Sequence, residues 1–552
     1  MTLSVSADMR AYLNLVLESV SESLAPTEAM FRQAEQQYDA ITKSLNNNTV
    51  LAAFNPKLRP QGSMRLGTCT RSHKNDGNFD VDVIVELRNI PSSWTQKMVK
   101  EAVLNALLSD PIYSKMLKDK NGGRRCVTIV YANGSHVDVL PCAISADYIR
   151  SIQQKSVNPN DYILAITDKK HRGYTWDTYR PNWPQSNPIG YADWFLLIAL
   201  KNEMKHKGAS ALLLRAEVET FPKYQAPKSK TILQKLVMLL KRHRDMMFDG
   251  HEDMPVSILL TTLAARAYND APEGNLLDAL VYVVNNMTSY IQKVNDKYYV
   301  LNPVNSEENF ADKWEEKSQK KAFFYSWIEA LKADIRALVE LNGDAYKRKL
   351  KEMFGETATV SARAIEGDKI HQAVKSGIIG INSATGALTT SANRIPSPRH
   401  TNLGGKKSSF PKSLCAIPVS TQLKKLEEDY PQSKGYLVNG KGQWYYTVKP
   451  TPKSEEYKLR ISFVHGACPI IEVVKPNNLI REMEDADFNH IYRDSKHGKQ
   501  MLCLFADGEW TPQKFISKTI VPWAAEWCYF YEVWLDTGKW LGSSYHKGVY
   551  QP

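Results

Sequence analysis

Asp80 and Asp82 stand one residue apart in FDVDVIVEL, residues 79–87, inside a run of Val and Ile that otherwise has the composition of a buried strand. On a strand, residues i and i+2 point to the same face, so the spacing predicts two neighbouring carboxylates while Val81 and Val83 face the core. Two adjacent anions repel unless one is protonated or a cation holds them, and oxygen ligands at this spacing suit Mg²⁺ or Mn²⁺. Asp138, in HVDVL at 136–140, repeats the pattern of a carboxylate between aliphatic residues. Three such carboxylates on adjacent strands are the donor set for two cations, one activating a hydroxyl and one neutralising polyphosphate charge. Upstream, Gly62 lets a backbone approach a phosphate closely, and Ser63 offers a hydroxyl and an amide at the start of a predicted helix. An Asp-x-Asp alone is ordinarily a solvated strand face, and Gly-Ser alone says little; the joint order carries the signal.

The elements that must position these groups are legible in part. Apolar residues recur at helical spacing from Ser6 to Leu45, interrupted at Pro26, which predicts two helices. The period changes to two at Phe79–Leu87 and again at Arg125–Leu140, where CVTIVY and HVDVL flank Ala132-Asn133-Gly134-Ser135, a hairpin signal that puts Asp138 on the returning strand. Helical spacing returns over 193–247 and 255–294. One apolar face, Ile232, Leu233, Leu236, Val237, Leu239 and Leu240, ends in the basic run Lys241-Arg242-His243-Arg244. That run reads either as a polyphosphate contact or as a solvated helix end complementing the helix dipole. Residues 306–354 complete a helix-rich body. Trp176, Tyr191 and Trp194 are candidates for stacking on bases, against the plainer reading of isolated core aromatics.

Residues 377–411 are rich in Gly, Ser, Thr, Asn and Pro without periodicity and predict a linker, taken as 376–411. Beyond it, WYYTVKP, YKLRISFVHG and CPIIEVVKP alternate as short strands, and TIVPWAAEWCYFYEVWLDTGKWLG follows as an aromatic helical stretch. The expected organisation is 1–375, a linker, and an α+β domain over 412–552. At 552 residues the chain is too long for one core. A hydrophobic content of 43% with 24% charged residues is that of an ordinary globular protein. The net charge of +12 favours a polyanionic partner, nucleic acid or nucleotide phosphates. Seven scattered cysteines form no CxxC pair, so neither a disulfide framework nor a zinc site is expected. No apolar run reaches the length of a membrane span and no signal-peptide pattern opens the chain, so a cytoplasmic protein without membrane association is expected.

The order Gly62-Ser63, Asp80-x-Asp82, Asp138 resembles the polymerase-β-type nucleotidyltransferase core. Together with the hairpin, PKSKTILQKLVMLLKRHRDMMF and MPVSILLTTLAA, it is similar to the CD-NTase family, bacterial relatives of cyclic GMP-AMP synthase and oligoadenylate synthase. The resemblance covers residues 1–375, with a longer loop, SHKNDGN, before Asp80. It implies an α+β architecture: a polymerase-β-like nucleotidyltransferase lobe with a mixed sheet plus a helical lobe. Asp80, Asp82 and Asp138 would be the catalytic and metal-binding residues, with Mg²⁺ or Mn²⁺ as cofactor. Gln61, Gly62, Ser63, Lys241 and Ser257 would contact nucleotide. The implied activity is synthesis of a cyclic oligonucleotide second messenger from NTPs in bacterial antiphage defence, with a nucleic-acid or phage-derived activator and a protein partner of the C-terminal domain as further candidates. The competing readings are a nucleotidyltransferase acting on RNA or another macromolecule, and a non-catalytic nucleotide or RNA sensor.

In the C-terminal segment, His490-Ile491-Tyr492, Met501-Leu502-Cys503-Leu504 and Trp510-Thr511-Pro512 resemble the active-site segment of ubiquitin-conjugating enzymes, with Cys503 at the nucleophile position. The family's His-Pro-Asn is reduced to His490. A cysteine between two leucines is by default a small buried hydrophobe, so a sensor-like or interaction domain is the favoured expectation. Trp523, Trp527, Trp534 and Trp540 read as a packed helix face.

Overall fold

The computed structural model describes residues 4–74, 79–154, 162–201, 221–400, 416–476, 490–494, 499–505 and 509–543. Contacts divide the chain into two units: Val20–Ala337 with Lys351–Ala358, and Ser4–Ser19 and Leu338–Leu350 with the chain from Thr359 onward.

The first unit is built on a six-stranded mixed sheet, β1 (Lys57–Gln61), β2 (Val81–Leu87), β3 (Val127–Val130), β4 (His136–Ala143), β5 (Leu164–Ile166) and β6 (Gln185–Ser186), ordered β1-β2-β4-β5-β6 with β3 also on β4. The β-branched run of β2 pairs antiparallel with β1 and parallel with β4, in a register that sets Asp82 beside Asp138. Strand β3 returns antiparallel on β4 across the Asn-Gly turn, with Gly134 in the left-handed region. Val81, Val83, Val85 and Leu87 join one core with Val99, Val103 and Leu107 of the helix Gln96–Ser109 and with Ile41 and Leu45 of Glu28–Asn47. Ile84 joins Leu140, Cys142, Leu164 and Ile166 on the opposite face. With both faces covered, strict alternation disappears after Asp82. The strand begins at Val81, not Phe79, so Asp80 lies at its entrance.

The helical part contains Ile232–Phe248, Ser257–Asn269 and Leu276–Asn286. A capping box, Thr231 with Gln234, starts the first of these. Lys241 to Arg244 are neither a helix end nor a solvated basic face. The helix continues to Phe248, and all four side chains are buried among backbone acceptors and partners. Arg242 donates to the carbonyls of Phe354 and Arg71, His243 meets Asp334 at 3.0 Å, and Arg244 bonds Asp245 and the Pro255 carbonyl. Burial is tolerated because each cation is bonded, which composition along one helix does not reveal. The helix-rich reading of 306–354 also misses the strand Asn305–Asn309 at its start.

The second unit holds a six-stranded antiparallel sheet in the order Lys434–Val438, Lys441–Val448, Tyr457–Phe463, Ile470–Lys475, Lys499–Leu502, Ile491–Asp494. Trp444, Leu459 and Ile461 from the sheet, Leu426 from the helix Val419–Asp429, and Ile520, Trp523 and Trp527 from Ile520–Thr537 form one core. The described part of the expected linker is not bare chain: Gly380–Ile381, Leu388–Thr389 and Ile395–Pro396 make a small sheet, and Ile381 and Ile395 enter that core. Two-residue strands are too short to leave a period in the sequence. Trp540 lies past the helix end and stacks on His490, so the four tryptophans do not form a single helix face.

An ion pair is sealed beneath the sheet of the first unit. Arg59 on β1 and Glu86 on β2 meet at 2.6 Å, exposed by 2% and 0%, and the Tyr148 hydroxyl donates to the same carboxylate. Removing one partner strands a buried charge. Arg59→Ala should cost about 3–5 kcal/mol of stability, seen as a lower thermal midpoint, whereas Arg59→Met combined with Glu86→Leu should recover most of the loss.

Candidate functional site

Asp82 and Asp138 are direct partners on the parallel strands β2 and β4, on the face opposite Val81 and Val83. Adjacent strands lie about 4.8 Å apart, so the two carboxylates share one small volume. Their mutual repulsion is visible in the protonation of Asp82. Burial, then the charges of Asp138 and Asp80, push it up to about 7, and Lys241 pulls weakly the other way. Asp138 accepts a hydrogen bond from the Thr128 hydroxyl on β3, its register partner across the hairpin. That bond fixes one oxygen of Asp138.

Asp80 stands apart in this arrangement. Its side chain is 76% exposed, and Oδ1 lies 3.4 Å from His136 Nδ1 at the start of β4. Among the described residues no group of three or more His, Cys, Asp or Glu is assembled as a ready metal cage. The in-register pair of oxygen donors suits a hard divalent cation, and the pKa of Asp82 is raised because burial and the neighbouring carboxylates disfavour its charged form. Asp80, exposed and beside His136, is not part of that pair.

Gly62 of the Gly-Ser pair packs against Asp82. Gln61 is the register partner of Asp82, and Gly62 follows with φ +58°, where side chains are strained. A Cβ at Gly62 would stand 2.5 Å from Asp82 Oδ2. The helix Gly62–Leu66 starts here, and Ser63 Oγ lies 3.3 Å from the Cys69 thiol. The turn that ends this helix is held by the helix Ile232–Phe248 and the residues before it. Gln234 donates to the Leu66 carbonyl at 2.9 Å, Lys230 to Gly67 at 2.7 Å, and Lys241 to Thr68 at 3.0 Å. Burial lowers the pKa of both lysines and raises that of Cys69. Lys241 is only 8% exposed, so it touches the turn carrying Ser63 and does not project into solvent. Ser257 begins the next helix and accepts from Arg244 at 2.8 Å; no bond joins it to the carboxylates.

Sequence reading did not find Thr128, His136, Lys230 or Gln234. The Asn-Gly turn carried the signal for Thr128, because counting outward from it pairs Thr128 with Asp138. Nothing local marks Lys230 or Gln234, which act on carbonyls far away in sequence. Of the aromatics, Tyr191 is core, bonded to Thr262 at 2.8 Å and 5.4 Å from Trp194, but Trp176 is 65% exposed.

In the second unit, the Cys503 amide donates to the His490 carbonyl at 3.1 Å, and the same carbonyl accepts from Trp527 Nε1 at 3.0 Å. Leu502 and Leu504 are buried on either side while Cys503 is half-exposed. Cys503 thus follows directly on the strand end at Leu502, between two leucines that enter the core.

Residues 13–195 match the model of the Second Messenger Oligonucleotide or Dinucleotide Synthetase domain, and residues 422–547 match that of the Type II CBASS E2 protein. A c-di-GMP synthase of Roseivirga ehrenbergii is 27% identical over 393 residues, covering 70% of this chain and 96% of that protein. The cyclic dinucleotide synthase CdnG of Bradyrhizobium diazoefficiens is 22% identical over 423 residues, covering 72% and 95%. The structure of CdnG in complex with GTP aligns with a TM-score of 0.46 at 19% identity, over 64% of this chain and 99% of that one.

The acidity of Asp82 makes a signed prediction. Its pKa rises on folding from the ordinary 3.8 to about 7, so the folded state binds the extra proton and stability falls as pH rises between those values. In metal-free buffer, Asp82→Asn should therefore stabilise the protein more at pH 8 than at pH 5, measured as the difference in thermal midpoint. An equal effect at both values would contradict the assignment.

Proposed function

Because this chain is a CD-NTase followed by an E2-like domain, we propose that it makes a cyclic oligonucleotide second messenger from NTPs in bacterial antiphage defence. The observation that carries the reading is the side-by-side placement of Asp82 and Asp138 with Gly62 packed against Asp82. The reaction is attack of a ribose hydroxyl of one nucleotide on the α-phosphate of a donor NTP, with pyrophosphate leaving, repeated to close a ring. Such chemistry rests on positioning and charge neutralisation, which explains why this lobe needs no nucleophilic side chain.

Each part of the site has a task in that reaction. Asp82 and Asp138, with Asp80, are the residues that would hold Mg²⁺ or Mn²⁺. A bound divalent ion supplies neutralisation of the triphosphate charge and acidification of the hydroxyl. Asp138, with one oxygen fixed by Thr128, assists removal of the hydroxyl proton. Gln61, Gly62 and Ser63 face the donor triphosphate with a backbone that can come close because position 62 has no side chain. Lys241 and Lys230 keep the Gly67–Thr68 turn behind Ser63 in place. Ser257 remains a candidate nucleotide contact through the helix it begins. No helix among the described residues is long and apolar enough to cross a membrane. The cytoplasm, where NTPs are available, is the proposed location.

In the E2-like domain, Cys503 is the proposed nucleophile, supported by its position in the matched segment and its half-exposed place between buried leucines. This domain is also where a protein partner would engage.

Incubation of the purified protein with labelled NTPs and Mg²⁺ or Mn²⁺ should yield a phosphatase-resistant product. Asp82→Ala and Asp138→Ala should each reduce it by roughly 10²–10³-fold or more. Extension of added RNA without a cyclic product would replace the proposal with a macromolecular nucleotidyltransferase, and full activity of Asp82→Ala would leave only a binding role. For the second domain, a thiol-labile adduct of the chain with a protein partner should disappear in Cys503→Ala; its persistence would move that chemistry elsewhere.

A further inference from the structure

The segment between β5 and β6 contains an outward display that the nucleotidyltransferase reading does not use. Its only carboxylates, Asp168 and Asp177, are exposed by 2% and 7% and are consumed in building the segment. Asp168 accepts from Arg124 at 2.8 Å, from Arg125 at 2.9 Å and from the Lys170 amide at 2.9 Å, and these bonds hold its pKa down to about 2 despite burial. Asp177 accepts from the Tyr179 amide at 2.9 Å and Asn182 Nδ2 at 3.0 Å, and its own carbonyl takes Trp183 Nε1 at 3.1 Å. Backbone bonds from His171 to Asp168, Tyr174 to His171 and Asp177 to Gly173 close successive turns.

With both acids turned inward, the exposed side chains of the segment carry positive charge or none. Lys169, Lys170 and Arg172 are exposed, and Trp176 and Tyr179 stand out at 65% and 64%. Lys169 also donates to the carbonyls of Asn121 and Gly122 at 2.7 Å, which joins the segment to a turn carrying exposed Lys118 and Lys120, with Asp119 the acidic residue between them. Large aromatic rings are costly to leave in water, and here they are presented by a bonded scaffold. Cations beside exposed rings match a ligand with phosphates and unstacked bases: the cations take the backbone while the rings stack on base faces. A duplex hides its base faces, so the rings favour a single strand. We propose that the Trp176–Tyr179 face of the nucleotidyltransferase unit is a binding surface for single-stranded nucleic acid. The proposal does not depend on the NTP reaction being correct.

The test uses the full chain and a fluorescent oligonucleotide of about 20 nucleotides, single-stranded DNA or RNA, titrated by anisotropy at about 50 mM salt and again at higher salt. Saturable, salt-sensitive binding is expected. Trp176→Ala with Tyr179→Ala should weaken it by about ten-fold or more, and Lys170→Glu with Arg172→Glu should flatten the salt dependence. Melting curves of both variants should match the parent, since every changed side chain is exposed. Absence of binding at low salt, or binding unchanged in both variants, would overturn the proposal. Equal affinity for polyglutamate that ignores the ring substitutions would also overturn it, marking the face as one for acidic protein. Loss of NTP turnover in Asp82→Ala with oligonucleotide binding retained would separate this surface from the catalytic reading.

Discussion

Two carboxylates held in register on adjacent strands are the constraint around which the first unit is arranged. Parallel pairing of β2 with β4 holds Asp82 beside Asp138, and burial together with the charges of Asp138 and Asp80 pushes the Asp82 pKa up to about 7. The aliphatic residues around them pay for that placement: Val81 and Val83 bury on one side of β2, and Ile84 with Leu140 on the other. The sheet is anchored so firmly by apolar packing that it can carry a locally unfavourable electrostatic arrangement, which is the ordinary condition of a site awaiting a charged ligand.

How much of this was readable depended on the distance over which each signal acts. The carboxylates, the hairpin and the first two helices follow from periods of two and 3.6 within a few residues, and all appear in the structure. Gly62 was legible as a flexible residue near phosphate, yet the reason no side chain fits is the Asp82 oxygen beside it, a contact made across a strand pair. The basic run at Lys241 was misread for the same reason. Three cations and a histidine in sequence look solvated until the carbonyls of Thr68, Arg71, Phe354 and Pro255 are folded around Lys241, Arg242 and Arg244, and Asp334 meets His243. Residues 377–411 show a different limit, because strands of two residues form no period although Ile381 and Ile395 still find a core.

The E2-like domain makes the opposite use of aromatic residues from the segment that carries Trp176. In the former, Trp523 and Trp527 are sealed in the core, Trp540 stacks on His490, and the indole of Trp527 bonds the His490 carbonyl. That carbonyl also receives the Cys503 amide, so the strand end bearing the thiol is fixed by the same residue that the tryptophans clamp. Composition alone registers both sets as aromatic; burial separates structural rings from displayed ones.

The grip of Lys230, Gln234 and Lys241 on the turn after Ser63 has a mechanical consequence. Three donors, one before the helix Ile232–Phe248 and two within it, seize three successive carbonyls, Gly67, Leu66 and Thr68, so turn and helix form a single lever. The turn that follows Ser63 is therefore tied to a helix more than 150 residues further along the chain.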